Sequence, residues 1–317
     1  MRRPAALALG FALSVPAAHA SDFSYVRDAA PRLDAGAVVV DSRPLALCQK
    51  GSLKGARCLP ASDLLGPHRR LPNLFDIRWA LGAIGLNGTE TVLVAGDEPT
   101  ARDFVAGLLY LAGQREVAVL RAPFGRDSSH AAPGIGRSLT RESIYQAPAR
   151  DELWRLRGDM VSQLKDTPPP ALIDGRSESE FWGETVRAAR GGRLPGAESA
   201  PAATVRAALA RGETVGPRTG EAVVYAHDPF DGIAFFTLLR AGAGIAARVY
   251  PGGWAEWAAD GSLPADAATY PDRVAAITAV KPPATASRGI YLFAGLTLAA
   301  LFGIAGYYLG RRRARNA

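Results

Sequence analysis

The chain has 317 residues, 48% of them hydrophobic and 21% charged, a balance apolar enough for packed cores. Its formal charge of +7 suggests an anionic partner at first sight. However, Arg2, Arg3, Arg311, Arg312, Arg313 and Arg315 supply six of the 37 basic residues, and the other 31 match the 30 acidic ones to within one, so nucleic-acid binding is not supported.

Residues 1–20 have the form of an export signal. Arg2 and Arg3 precede an apolar stretch from Pro4 to Val15, and Ala18-His19-Ala20 offers small residues before a cut at Ser21. The stretch is short for a bilayer span, which favours cleavage over an uncleaved anchor. Ala35 to Asp41 is an apolar run ending in an acid, the pattern of a buried parallel strand. Thr91 to Ala95 predicts a second strand. Ala101 to Ala112 predicts a helix with Phe104, Val105, Leu108, Leu109 and Leu111 on its apolar face, and Val117 to Leu120 a third strand. Residues 122–149, rich in Gly, Pro, Ser and Arg, read as a linker or extended loop. Asp151 to Leu164 predicts a helix, stopped by Pro168-Pro169-Pro170.

The same order then returns. Strands are predicted at Ala171–Asp174 and Ala222–Ala226, a helix at Gly232–Ala241 and a short strand at Arg248–Tyr250. Strands alternating with helices predict an α/β fold of two domains with mostly parallel sheets. Beyond them, Ile290 to Leu309 is twenty residues without a charge, flanked by Tyr291, Tyr307 and Tyr308 and followed by the C-terminal arginines. This predicts one transmembrane helix with its C-terminus in the cytoplasm and the body outside, in the periplasm of a bacterial inner membrane. The expected boundaries are a signal over 1–20, a first domain over 21–121, a linker and helix over 122–168, a second domain over 169–271, a juxtamembrane linker over 272–289, the transmembrane helix over 290–310 and a cytoplasmic tail over 311–317.

Four stretches of the second domain are more specific. They are Asp174-Gly175-Arg176 at a strand end, Glu180-Phe181 with Gly183-Glu184, Gly192 to Ala197 around Gly196, and Pro251-Gly252-Gly253-Trp254 with Glu256-Trp257. Together they resemble the D-x-R, E-F-x-G-E, G-H-I-P-G-A and D-G-G-W-x-E-W stretches of the rhodanese domain, with Arg193 in place of the usual His. The first domain resembles it more loosely, through Asp41-Ser42-Arg43 and Gly55-Ala56. The resemblance is to the tandem thiosulfate sulfurtransferases. It implies two rhodanese-like domains and a sulfur-carrying cysteine opening the loop before a helix.

That loop is expected at Ala226-His227-Asp228-Pro229-Phe230-Asp231, and Ala226 stands at the cysteine position. The matching loop of the first domain, Gly96-Asp97-Glu98-Pro99, also lacks cysteine. Asp228 and Asp231 in one loop, and Asp97 and Glu98 in the other, would repel an anionic donor, and Pro99 and Pro229 each remove one N–H from the cradle. His227 beside Asp228 is either a base or phosphate acceptor, or an ordinary loop residue. The two cysteines, Cys48 and Cys58, read as a disulfide in an oxidising compartment, with a redox pair or displaced sulfur carrier as the alternative. His68, His130 and His227 have no ligand spacing, so no metal or cofactor is expected. Gly295, Ala299 and Gly303 would let the anchor pair with itself or with another envelope protein. The expectation is a catalytically degenerate, membrane-anchored binding or scaffolding module, in the setting of envelope sulfur metabolism. The alternatives are a sulfurtransferase or thiol-redox enzyme using Cys48 or Cys58, and a docking subunit of a respiratory or sulfur-oxidising complex.

Overall fold

The computed structural model describes residues 22–121, 131–215 and 221–266. The expected signal, juxtamembrane linker, transmembrane helix and tail, with His130, lie outside them. Among the described residues no helix is long and apolar enough to cross a membrane.

Apolar, β-branched runs form the strands. The first half runs β1 (Phe23–Val26), α1 (Ala30–Asp34), β2 (Val38–Asp41), α2 (Leu45–Lys50), β3 (Ser52–Leu53), β4 (Arg57–Cys58), α3 (Leu74–Ala83), β5 (Thr91–Ala95), α4 (Pro99–Leu111) and β6 (Glu116–Leu120). A short β7 (Ala131–Ala132) leads into the second half: α5 (Arg157–Gln163), β8 (Ala171–Asp174), α6 (Glu178–Phe181), β9 (Glu198–Ser199), α7 (Ala202–Ala210), β10 (Ala222–Tyr225), α8 (Pro229–Thr237), β11 (Ala247–Val249) and α9 (Gly253–Ala259). The first sheet has the order β1-β6-β5-β2-β4 and the second β11-β10-β8-β9, every pair parallel. Four strands therefore correspond one to one, with β2 and β8 in matching places.

The fifth place explains a departure from the sequence reading. The helix expected from Asp151 to Leu164 is two pieces, a 3₁₀ turn at Asp151–Leu153 and α5. Between them Trp154 is extended and bridges Val249 in parallel, and Arg155 donates its N–H to the Val249 carbonyl at 2.8 Å. This single bridge takes the edge that β1 takes in the first sheet. Its ladder bonds satisfy backbone that a continuous helix would have turned away from the sheet.

One apolar core runs through both sheets, from Val92, Val94 and Phe104 to Val224, Ile233 and Phe235. The seam is the contact of α4 with α8. Gly107 allows it: a Cβ there would collide with the Thr237 hydroxyl and lie 2.7 Å from Ile233 Cγ2. Thr237 donates its hydroxyl to the Asp103 carbonyl at 2.8 Å. The fully buried Asp103 carboxylate takes Arg102 at 3.1 Å and also Arg206 of α7. Both halves accordingly fall within one compact unit.

Cys48 and Cys58 form a disulfide with Cα atoms 5.8 Å apart, and both residues are buried. The connection between the halves is laid over this bridge. Ser52 and Leu53 pair with Ala132 and Ala131, Gly134 donates to the Cys48 carbonyl at 3.0 Å, and Cys58 donates to the Ile135 carbonyl at 2.9 Å. A side chain at Gly134 would strike Cys48 Sγ and lie 2.8 Å from Cys58 Sγ. The described part of the expected linker is thus packed onto the first half.

Candidate functional site

Parallel sheets present a crevice where chain connections leave neighbouring strands in opposite directions, beyond the strands' C-terminal ends. In the second sheet this point lies between β8, which leads to β9 on one side, and β10 on the other. A cleft of about 380 Å³ opens there, lined by the β8–α6 and β10–α8 loops, the start of α7 and Thr100 from α4 of the first half. Neither cysteine lines it.

At the strand end, buried Asp174 accepts from Arg176 Nε at 3.0 Å, from Arg176 Nη2 at 2.6 Å and from the Arg176 N–H at 2.9 Å. Arg176 also reaches the Gly192 carbonyl at 2.8 Å. Asp41 and Arg43 repeat the arrangement in the first half, with Arg43 donating to the Gly51 carbonyl. The brace ties a strand end to a later loop, and the ionised pair is tolerated in the interior because every charge meets a partner.

Of the other expected motif residues, Gly253 and Trp254 support the β10–α8 loop from behind. Gly253 has φ +59°, and a Cβ on it would lie 2.6 Å from the Ala226 carbonyl. Trp254 donates its N–H to the Ala226 carbonyl at 2.9 Å, and Ala255 donates to that of His227 at 2.8 Å. The Trp254 indole is buried, donates to the Arg190 carbonyl at 3.0 Å and lies under the Arg176 guanidinium. Gly252 precedes α9, and Gly196 occupies a positive-φ turn before β9. Arg193, at the family's His position, stacks over Phe181 and Trp182.

Within the loop, Ala226 is buried and follows β10 directly. Asp228 is the N-cap of α8: its Oδ1 accepts the Asp231 N–H at 3.0 Å, and Pro229 takes the first helical position. Glu98 caps α4 in the same way, accepting from Thr100 and Ala101 ahead of Pro99. An acid followed by Pro is a strong start for a helix, since the carboxylate meets the orphan N–H groups and Pro lacks one to satisfy. The acidic loops are in this respect helix caps, and the Asp231 N–H is already taken by the chain's own carboxylate.

Around them is an ion network that the sequence did not reveal. Arg69, from the first half, lies 3.1 Å from Asp228, 3.9 Å from Asp231 and 4.3 Å from the Phe230 ring centre. It is held there by two successive left-handed residues, His68 at φ 56° and Arg69 at φ 57°. Arg187 donates to Glu180 at 2.7 Å and pairs with Asp231 at 3.6 Å. Burial alone would raise the Glu180 carboxyl, but the Arg187 hydrogen bond and charge hold it below the usual range. Burial, then the neighbouring Asp228 charge, pushes Asp231 up. His227 Nδ1 is buried without a hydrogen bond, 3.7 Å from Glu180. Burial, then Arg187, lowers the His227 pKa. This favours a neutral imidazole beside the cleft.

The comparisons agree with this architecture. The rhodanese-like domain family matches residues 158–260. The second half is rhodanese-like. A solved probable thiosulfate sulfurtransferase is 28% identical over 73% of this chain and 97% of its own, with a TM-score of 0.52. Wild-type EanB superposes at TM-score 0.58 and 18% identity, over 80% of this chain and 66% of EanB. YnjE does so at 0.58 and 18%, over 74% of this chain and 64% of YnjE. The last two share the fold, and the aligned part is about two thirds of their length. No curated protein matches the chain.

Proposed function

We propose that the chain is a tandem rhodanese-like protein, anchored in the inner membrane and facing the periplasm, that binds a partner or ligand and does not transfer sulfur. The tandem reading is supported by the matching strand orders of the two sheets and by an alignment reaching well beyond residues 158–260. The membrane and periplasmic reading comes from the sequence of the two ends.

The loss of sulfur transfer rests on one observation: the start of α8 is filled. A sulfur carrier needs a thiolate at the loop, stabilised by open N–H groups and the helix dipole. Ala226 has no sulfur to offer, and Asp228 occupies the Asp231 N–H while adding a negative charge. The two sulfurs of Cys48 and Cys58 are joined and buried beneath Gly134.

The test is a sulfur-transfer assay on the full-length chain, with thiosulfate and polysulfide donors and a thiol acceptor, before and after reduction. A Cys48→Ser, Cys58→Ser double variant runs beside it. No turnover above buffer in any arm is expected. Turnover that vanishes in the double variant would move the active site to the Cys48–Cys58 pair, and turnover that persists would overturn the degenerate reading altogether.

A further inference from the structure

We propose that the face formed by α3 and the connection beside it docks on an anionic lipid bilayer, the surface of the membrane that anchors the chain. This goes beyond the binding-module reading and rests only on its anchored part.

Exposed apolar side chains gather on one side of the first half. Of the nine large hydrophobic residues left exposed among the described ones, seven fall within α2, α3 and the connection over 131–144, so they form a patch and not a scatter. Phe75 and Trp79 are one helical turn apart on α3, with Phe75 68% exposed, while Ile77 and Leu81 turn inward. The connection runs beside this helix. Ser138 donates its N–H to the Ala83 carbonyl at 3.3 Å, and Ser143 donates to that of Gly82 at 3.0 Å. Leu139 and Ile144, both exposed, are thereby placed next to α3. Gly82 permits the approach, since a Cβ there would collide with the Ser143 carbonyl oxygen. Arg141 lays its guanidinium 4.6 Å from the centre of the Trp79 ring. Toward α2 the patch continues through Ile135 and Leu45, because a Cβ at Gly136 would lie 3.8 Å from Leu45 Cδ1.

Charge follows the same side. Residues 45–83 and 131–144 carry eight basic residues to three acidic ones, and the rest of the stretch 21–310 carries 23 to 27. The near neutrality of the body therefore hides a basic face. Three of its eight cations are matched within the protein: Arg57 by Glu142, Arg69 by Asp228 and Arg137 by Asp63. Lys50, Lys54, Arg70, Arg78 and Arg141 form no ion pair among the described residues, and all but the half-buried Arg78 are exposed. Against these five stands Asp76 alone.

A protein partner suits a patch whose centre is depleted of charge. Trp and Phe interleaved with unmatched Lys and Arg suit a bilayer interface, where aromatic rings settle at headgroup level and cations meet anionic lipid. The described residues end at Asp266, and the uncharged run of the expected anchor begins at Ile290. The residues between, 267–289, reach at most roughly 80 Å. Such a tether keeps the body near the bilayer without choosing the face that meets it, and the chemistry of the face makes that choice.

The experiment uses the full-length chain in vesicles of phosphatidylcholine, with or without phosphatidylglycerol, part of the lipid carrying brominated acyl chains that quench indole on contact. Of the five tryptophans Trp79 alone is exposed, so it reports the face. In phosphatidylglycerol vesicles at low salt, brominated lipid is expected to quench the unaltered chain. The quenched component should be lost in Trp79→Phe, in neutral vesicles and at high salt. Arg70→Gln and Arg141→Gln should each lower the docked-to-free ratio about fivefold. The proposal is overturned by equal quenching in neutral vesicles or at high salt, or by quenching that survives Trp79→Phe. Absence of quenching in anionic vesicles overturns it as well and gives the face to a protein partner. Anchoring is read separately, by a high-salt wash: a chain that washes off sinks the anchored reading. Quenching of Trp79 on return to low salt with the same vesicles decides the face in either case.

Discussion

His227 and its surroundings divide what one residue reveals in sequence from what only folding brings together. Asp174 and Arg176 are two positions apart, so the motif that holds them was legible, although the brace between them was not read from it. Arg69 and Asp228 are 159 positions apart, and no periodicity or motif connects them. The partners of His227 were hidden for the same reason: Glu180 and Arg187 reach it only because α6 and the β10–α8 loop meet at the sheet's C-terminal edge. This burial has a pH signature. The His227 pKa is lowered from its ordinary 6.5, so the unfolded chain binds the proton more readily than the folded one. Its contribution to stability is complete above pH 6.5 and is lost as the pH falls from there through the folded value. Asp231, raised from its ordinary value, acts in the opposite sense on acidification and partly masks the effect. His227→Gln is therefore expected to flatten the decline of Tm below pH 6.5, seen by subtracting its pH profile from that of the unaltered chain. Superimposable profiles would mean that the imidazole stays hydrated.

Elements were read best where a long apolar run left little choice. Thr91–Ala95 and Ala171–Asp174 are strands with the bounds expected, and α4 and β6 fall within two residues of theirs. The misses were of two kinds: the helices α3 and α7, ten and nine residues long, where no element was expected, and short pieces whose conformation depends on a neighbour. β1 is four residues long and is defined by pairing with β6, and the Trp154 bridge by pairing with Val249. The acids of the two loops were read as repelling an anion, and their part as helix caps was not seen. The disulfide was legible from an isolated cysteine pair close in the chain and the expected oxidising compartment, but its cover by the connection at Gly134 was not, because the antiparallel β3–β7 pair carries too few residues to leave a pattern. Replacing both Cys48 and Cys58 by Ser should cost about 2.5–3 kcal/mol from the lost loop constraint, read as a lower denaturant midpoint. The native chain should lose its bridge to a thiol reductant only at the rate at which the connection lifts. Rapid reduction under native conditions would argue against the cover.

For the whole molecule, the repeated order of strands and helices was visible, but not that the two halves share one core. That sharing depends on Gly107, whose missing side chain could not be told from any other helical glycine. Gly107→Val would force α4 from α8 and should cost about 1–3 kcal/mol. Calorimetry is expected to show either a lowered Tm or two transitions in place of one, and an unchanged single transition would mean that the seam yields easily. Thr100 gives the seam a second meaning. It stands in the cleft wall although it belongs to the other half, so an occupant that contacts it holds affinity for the joined state alone. Occupancy and docking then become linked equilibria: a ligand at a hundred times its Kd would add about 2.7 kcal/mol to the work of parting the halves. By reciprocity, any load that pulls them apart would expel the ligand.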